Sequence, residues 1–143
     1  MDKRKQIIRN WIKSLYPGEE FSLELASSDA SFRRYFRLKK HNCSLIIMDA
    51  PPENEEIITF CRLARRFHTL GINVPEILHT EDELGFVLMS DLGSDHYLDY
   101  LNDNNVERLY GDALGSLVVL QAGTFDDPGF LPAYSAELLG AEM

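Results

Sequence analysis

Three short runs of strand-like sequence lie between Phe21 and Asp49, and their close spacing constrains the fold more than any other feature of the chain. Phe21-Ser22-Leu23-Glu24-Leu25 alternates apolar and polar residues, as a half-buried strand does. Residues 26–31 are small and polar and read as a turn. Arg34-Tyr35-Phe36-Arg37-Leu38 resumes the strand, residues 39–42 form a second turn, and residues 44–49 are a short apolar run that fits a central strand. Strands joined by turns this short pair antiparallel, because a parallel neighbour needs a crossover of a dozen or more residues. The expectation is an antiparallel three-stranded meander.

The flanking sequence switches to helical spacing. Ile7, Ile8, Trp11, Ile12 and Leu15 recur on one helix face, and Pro17-Gly18 ends it. After Ala50-Pro51-Pro52, residues Glu53, Asn54, Glu55 and Glu56 are read as opening a long helix, where acidic side chains complement the dipole. Its buried stripe is read as Phe60, Leu63, Phe67 and Leu70, widened by Ile57 and Ala64. Arg62, Arg65 and Arg66 fall opposite, and Gly71 is the C-cap. Residues 74–79 and 86–90 read as two further strands around a turn at 81–85. Beyond Asp91-Leu92-Gly93-Ser94, Tyr97, Leu98 and Leu101 suggest a short helix. Residues 106–122 suggest a longer one with Leu109, Leu114, Leu117, Val118 and Leu120 apolar. Residues 123–132 read as a loop and 133–143 as the beginning of another helix.

Charge divides the chain where the pattern does. The net charge is -9, yet residues 1–90 carry 13 basic and 13 acidic residues; residues 91–143 carry Arg108 and 10 acidic residues. This break suggests two units, 1–91 and 92–143. An acidic chain lacks the basic face of a general nucleic-acid binder. No apolar run approaches the 18 residues of a transmembrane helix, and the N-terminus lacks the apolar core of a secretory signal. Cys43 and Cys61 read as reduced thiols of a cytoplasmic protein. His41, His68, His79 and His96 have no metal-binding spacing and read as structural or solvent-facing.

The order of strand, small-residue turn, strand, strand, long helix, strand, strand, linker and helices is that of a protein-kinase-like N-lobe and the opening of a C-lobe. The fold class expected is therefore α+β: a five-stranded antiparallel sheet with one long helix, then the first helices of an incomplete C-lobe. In such a lobe the first turn lies over a triphosphate, because small residues let backbone N–H groups approach phosphate oxygens. The segment after the last strand meets an adenine edge through its backbone, and the long helix can hold a carboxylate toward the phosphates. Residues 26–37 (ASSDASFRRYFR), 48–53 (MDAPPE), 73–77 (NVPEI) and 88–93 (LMSDLG) resemble segments of the aminoglycoside-phosphotransferase-like sugar kinases, in the same order. The likeness covers roughly residues 5–140. It is greatest to members that phosphorylate the anomeric hydroxyl of an amino sugar in bacterial cell-wall recycling.

The resemblance implies ATP-dependent transfer of the γ-phosphoryl group to a sugar hydroxyl, with Mg²⁺ bridging the phosphates. Ser28, Asp29, Ala30 and Ser31 match the phosphate-covering loop; Ser90, Asp91 and Leu92 match the hinge that meets adenine. Two features depart from a kinase. The third strand has no lysine, since Met48 or Asp49 stands in its place, and Arg33, Arg34 and Arg37 remain as candidate phosphate-clamping cations. No H-x-D-x-x-x-x-N segment is present, and Asp126-Asp127-Pro128 is not one. Catalytic residues and Mg²⁺ ligands are therefore expected beyond residue 143, and none is assigned within the chain. Plainer readings stand beside these. Residues 28–31 also suit a simple hairpin turn, Glu53, Glu55 and Glu56 suit dipole complementation, Arg62, Arg65 and Arg66 a solvated face, and Trp11 a packing anchor. The competing functions are a pseudokinase-like module that binds nucleotide or protein without catalysis, and a fragment that self-associates through exposed apolar helix faces.

Overall fold

The computed structural model describes residues 2–28, 32–41, 43–54, 56–125 and 140. In chain order the elements are α1 (Lys3–Leu15), β1 (Ser22–Ser28), β2 (Arg34–Lys40), β3 (Cys43–Asp49), α2 (Ile57–Thr69), β4 (Ile77–Glu81), β5 (Phe86–Ser90), α3 (Tyr97–Tyr100) and α4 (Val106–Phe125). The strands form one sheet in the order β1-β2-β3-β5-β4, with every neighbouring pair antiparallel. This is the expected α+β architecture. The chain forms two compact units, Met1–Thr69 with Asn73–Ser94, and Leu70–Ile72 with Asp95–Met143.

The sheet and two helices account for the core of the first unit. Asp2 caps α1 by accepting the Lys5 N–H at 3.2 Å. Helix α1 buries Ile8, Trp11 and Ile12 against Leu23, Phe36, Leu38, Leu45, Ile47, Phe86 and Leu88. Each such side chain contributes about 1.5–3 kcal/mol through burial. Successive strand residues point to opposite faces, so Met48, Val87 and Met89 belong to a second cluster, with Ile57 and Cys61 of α2. Helices α1 and α2 thus cover opposite faces of the sheet.

Several boundaries differ from the sequence reading. Strand β1 continues through Ser28, across a register shift between Leu25 and Ser27, where a turn was expected from residue 26. A bulge accommodates the odd residue, and a waiting partner strand outweighs the weak strand propensity of Ala-Ser-Ser. Leu25, which lies before the shift and opposite Phe36, is 58% exposed. Helix α2 starts at Ile57, not Glu53, because Pro51 to Asn54 close a turn in which the Asn54 N–H donates to the Pro51 carbonyl at 2.9 Å. Its buried face is Ile57, Cys61 and Ala64, with Phe60, Leu63 and Phe67 only half-buried. Ile57 and Cys61 pack with Met48, Val87 and Met89 of the sheet, with partly buried Phe60 against the same cluster. Gly71 has φ +80°, as a C-cap glycine should.

Strand β4 begins at Ile77 rather than at residue 74. Helix α4 runs on to Phe125, and its Leu114, Leu117 and Val118 are exposed with Tyr110 and Val119. Apolar periodicity located that helix but not what covers it. The loop expected at 123–132 falls within α4 as far as Phe125, and its remainder, with most of the helix expected at 133–143, lies outside the described residues, although Gly140 is helical.

One glycine ties β5 to the end of β3. Gly85 has φ +69°, and its carbonyl accepts the Ala50 N–H at 2.9 Å. A Cβ there would sit 1.8 Å from the Ala50 carbonyl oxygen. Gly18 also has a positive φ, +80°, but has nothing within 4 Å of the same position. Gly85→Ala should therefore cost at least ~3 kcal/mol, and Gly18→Ala only about 1 kcal/mol of backbone strain. Urea unfolding followed by Trp11 fluorescence reports on the first unit, and equal losses for the two variants would contradict this geometry.

Candidate functional site

Asp91 follows β5 directly, and its carboxylate is folded back onto the sheet. Arg37 of β2 donates through Nε to Oδ2 at 2.7 Å and through Nη2 to Oδ1 at 3.2 Å. The same Nη2 donates to the Gly93 carbonyl at 3.3 Å. Ser44 of β3 donates its hydroxyl to Oδ2, and the Gly93 N–H donates to Oδ1 at 2.9 Å. The last contact is an aspartate-capped turn, and Gly93 itself has φ +89°. The Arg37 hydrogen bonds, then those from Ser44 and the Gly93 N–H, outweigh burial and hold the Asp91 carboxyl at about 2. Neighbouring Ser90 is fixed by β4's approach, since its N–H donates to the Glu76 carbonyl and its hydroxyl accepts the Glu76 N–H, both at 2.9 Å. Leu92, between Asp91 and Gly93, is 55% exposed.

A second ion cluster marks the other end of the sheet and its other face. Asp49 is fully buried. Its Oδ2 accepts Arg34 Nε at 3.1 Å and Nη2 at 2.6 Å, and its Oδ1 accepts Arg4 Nε at 2.7 Å. Arg4 also donates to the Leu84 carbonyl at 2.6 Å, and Arg34 reaches Asp2 at 2.5 Å. A buried carboxylate is tolerated only when paired this fully.

The expected site residues separate along the strands. Ser28 lies opposite Arg34, which lies opposite Asp49; Leu45 lies opposite Ser90. The two rows lie four residue steps apart on β3, about 13 Å along the strand at 3.3 Å per residue. Ser90, Asp91 and Leu92 form one segment at the end of β5, and Ser28 stands at the opposite end of the sheet. Asp29, Ala30 and Ser31 lie outside the described residues. Of the three candidate arginines, Arg34 and Arg37 are bound to Asp49 and Asp91. Arg33 has its guanidinium carbon 5.9 Å from the Phe60 ring of α2. Glu56 accepts the Thr59 hydroxyl at 3.2 Å ahead of α2, which suits the plainer reading as helix-start chemistry, and Glu55 is outside the described residues. Sequence reasoning did not find Ser44 as a partner of Asp91, because 47 residues separate them and only the register of β2, β3 and β5 joins them. The Asp-x-Gly spacing of Asp91 and Gly93 was the one local signal.

The family described as phosphotransferase enzymes matches residues 22–142. The chain belongs to the phosphotransferase enzyme family. Among curated members of similar sequence, the N-acetylmuramate/N-acetylglucosamine kinase of Pseudomonas aeruginosa is 41% identical over 152 residues, which cover 99% of this chain and 44% of that protein. Its namesake in Neisseria meningitidis serogroup B is 34% identical over 146 residues, covering 99% of this chain and 42% of the relative. That of Pseudomonas putida is 42% identical over 123 residues, covering 85% and 35%. The chain therefore spans less than half the length of these phosphotransferase relatives, and it aligns with their N-terminal part.

The Asp91 cluster has a pH signature. Its folded carboxyl lies below the ordinary 3.8, so its stabilisation is complete above that pH and is lost as pH falls toward about 2. Asp91→Asn should cost about 2 kcal/mol at pH 7, and the difference from wild type should shrink toward zero between pH 4 and pH 2. Urea unfolding monitored by Trp11 at several pH values tests this, and a difference that persists unchanged to pH 2 would exclude it.

Proposed function

We propose that this chain is the nucleotide-binding part of an ATP-dependent phosphotransferase that acts on an amino-sugar hydroxyl, the anomeric hydroxyl of N-acetylmuramate or N-acetylglucosamine. The observation that carries this reading is 34–42% identity to three kinases named for those sugars. In this reading residues 1–91 are a nucleotide-binding N-lobe and residues 92–143 begin a C-lobe. The segment Ser90-Asp91-Leu92 meets the adenine edge through its backbone, and Ser28, Asp29, Ala30 and Ser31 cover the phosphates. Ser28 and Ser90 are offset by about 13 Å along the strands and lie on β1 and β5, three strands apart in the sheet.

Charge favours the same placement. The Asp91 carboxylate is already neutralised by Arg37, so the hinge presents no unpaired anion to a polyanionic ligand. Bound Mg²⁺ would neutralise developing charge on the phosphates during transfer. Among the described residues no three His, Cys, Asp or Glu side chains converge to hold a cation, and no ligand in this chain is assigned to Mg²⁺. Proton removal from the sugar hydroxyl is likewise assigned to no residue here, as no H-x-D-x-x-x-x-N segment occurs in the 143 residues. A cytoplasmic location fits ATP as donor and the free thiols of Cys43 and Cys61. No helix among the described residues is long and apolar enough to cross a membrane.

The third strand favours a second reading, a module that binds nucleotide or protein without catalysis. Met48 is buried among apolar residues and Asp49 is held by Arg4 and Arg34, so β3 offers no cation to phosphate. Calorimetric titration with ATP and Mg²⁺ should show binding without turnover of either sugar by the chain alone. Fusion to the remaining C-terminal sequence of the Pseudomonas aeruginosa relative should restore phosphoryl transfer. Absence of heat with ATP would remove nucleotide binding, and a folded fusion that binds ATP without turnover would favour the non-catalytic module.

The isolated chain should also self-associate through the exposed Tyr110, Leu114, Leu117, Val118 and Val119 of α4. Light scattering at high protein concentration measures this, and a clean monomer would contradict it.

A further inference from the structure

Arg37 lies in a segment whose other arginines meet the Phe60 ring (Arg33) and the carboxylates of Asp2 and Asp49 (Arg34), at the other end of β2. The Arg37 guanidinium spends both Nε and Nη2 on Asp91 and reaches the Gly93 carbonyl, so three of its contacts end on one three-residue stretch. Ser44 adds a contact from β3 to the same carboxylate. Arg37, Ile46 and Met89 occupy one cross-strand row, so this brace ties the hinge segment to β2 across β3 and β5. The fork geometry of a guanidinium fixes direction as well as distance. With Asp91 turned inward, Leu92 and the backbone beside it are what the segment presents outward.

We propose that Arg37 is a positioning residue for the nucleotide base: it fixes the backbone of residues 91–93 in the orientation that meets the base, and it does not contact phosphate. This inference rests on the nucleotide-binding reading above. A phosphate-clamping arginine would lower affinity for any polyphosphate when removed. A hinge brace acts only on the part of the affinity that the base supplies.

The test compares ATP with inorganic tripolyphosphate, each with Mg²⁺, by calorimetry on the whole chain. Wild type should bind ATP more tightly than tripolyphosphate. Arg37→Met should lose roughly tenfold or more in ATP affinity, the loss of one charge-assisted interaction, and leave tripolyphosphate within about twofold. Arg37→Lys keeps the charge without the fork and should also lose ATP affinity selectively. Lys39→Ala removes a cation two residues along the same strand, from an exposed pair with Glu24, and should leave the ATP-to-tripolyphosphate ratio unchanged. Trp11 fluorescence verifies folding, and if Arg37→Met does not fold, Arg37→Lys and Ser44→Ala carry the comparison. Equal losses for both ligands, or unchanged ATP affinity in the folded variants, would overturn the positioning role while leaving nucleotide binding intact. Wild type that binds neither ligand, or ATP no more tightly than tripolyphosphate, would overturn the base-binding reading itself.

Discussion

Burial of β3 and β5 on both faces is the constraint from which the first unit follows. A strand alternates its side chains, so a central strand covered on one side only would leave half of them in water. Leu45 and Ile47 join Phe86 and Leu88 under α1, while Met48 joins Val87 and Met89 under α2. One helix must therefore precede the sheet and another must interrupt it, on opposite faces. The crossing from β3 through α2 and β4 to β5 meets that requirement, and it puts the end of β5 beside β3 rather than at an edge.

The same alternation decides the fate of each charged residue. Asp49 shares parity with Leu45 and Ile47, so it faces α1, where burial demands cationic partners and Arg4 and Arg34 supply them. Ser44 and Arg37 share parity with Ile46 and face the other way, where they meet Asp91. Two polar clusters consequently stand at opposite ends of the sheet and on opposite faces. One anchors α1, through Arg4 and the cap residue Asp2, and the other anchors the chain as it leaves β5. Breaking either by removing one partner would strand a charge in a poorly solvated place, which costs more than the pair itself contributes.

Strand existence and order were legible in the sequence because period-two runs and short turns are local signals. Strand β5 was read at its observed bounds, since a continuous apolar run between Gly85 and Asp91 leaves little freedom. The boundaries of β1 and α2 were not legible. Pairing with β2 extended β1 through Ser28, and a proline-led turn delayed α2 to Ile57; in both cases a tertiary or short-range backbone contact overrode composition. Of the candidate site, the sequence drew attention to Ser90, Asp91 and Leu92, the segment that the structure places at the end of β5. The identity of its brace was not legible, because Arg37 and Asp91 are 54 residues apart and meet only through register. The exposed face of α4 shows the same limit from the other side, since periodicity reveals an apolar stripe and is silent on its partner.

Parity also resolves the missing lysine. Sequence alone left Met48 and Asp49 as equal occupants of that place. Only Met48 shares the face of α2, in contact with the cluster that holds Ile57 and Cys61, and Asp49 points away from it. A strand-to-helix ion pair on that face is therefore replaced by an apolar contact, and the buried aspartate that follows is no reversed-charge substitute for it. Arg34 serves Asp49 and Arg37 serves Asp91, so each of these two β2 arginines is engaged by a carboxylate at its own end of the sheet rather than standing in for a cation on β3.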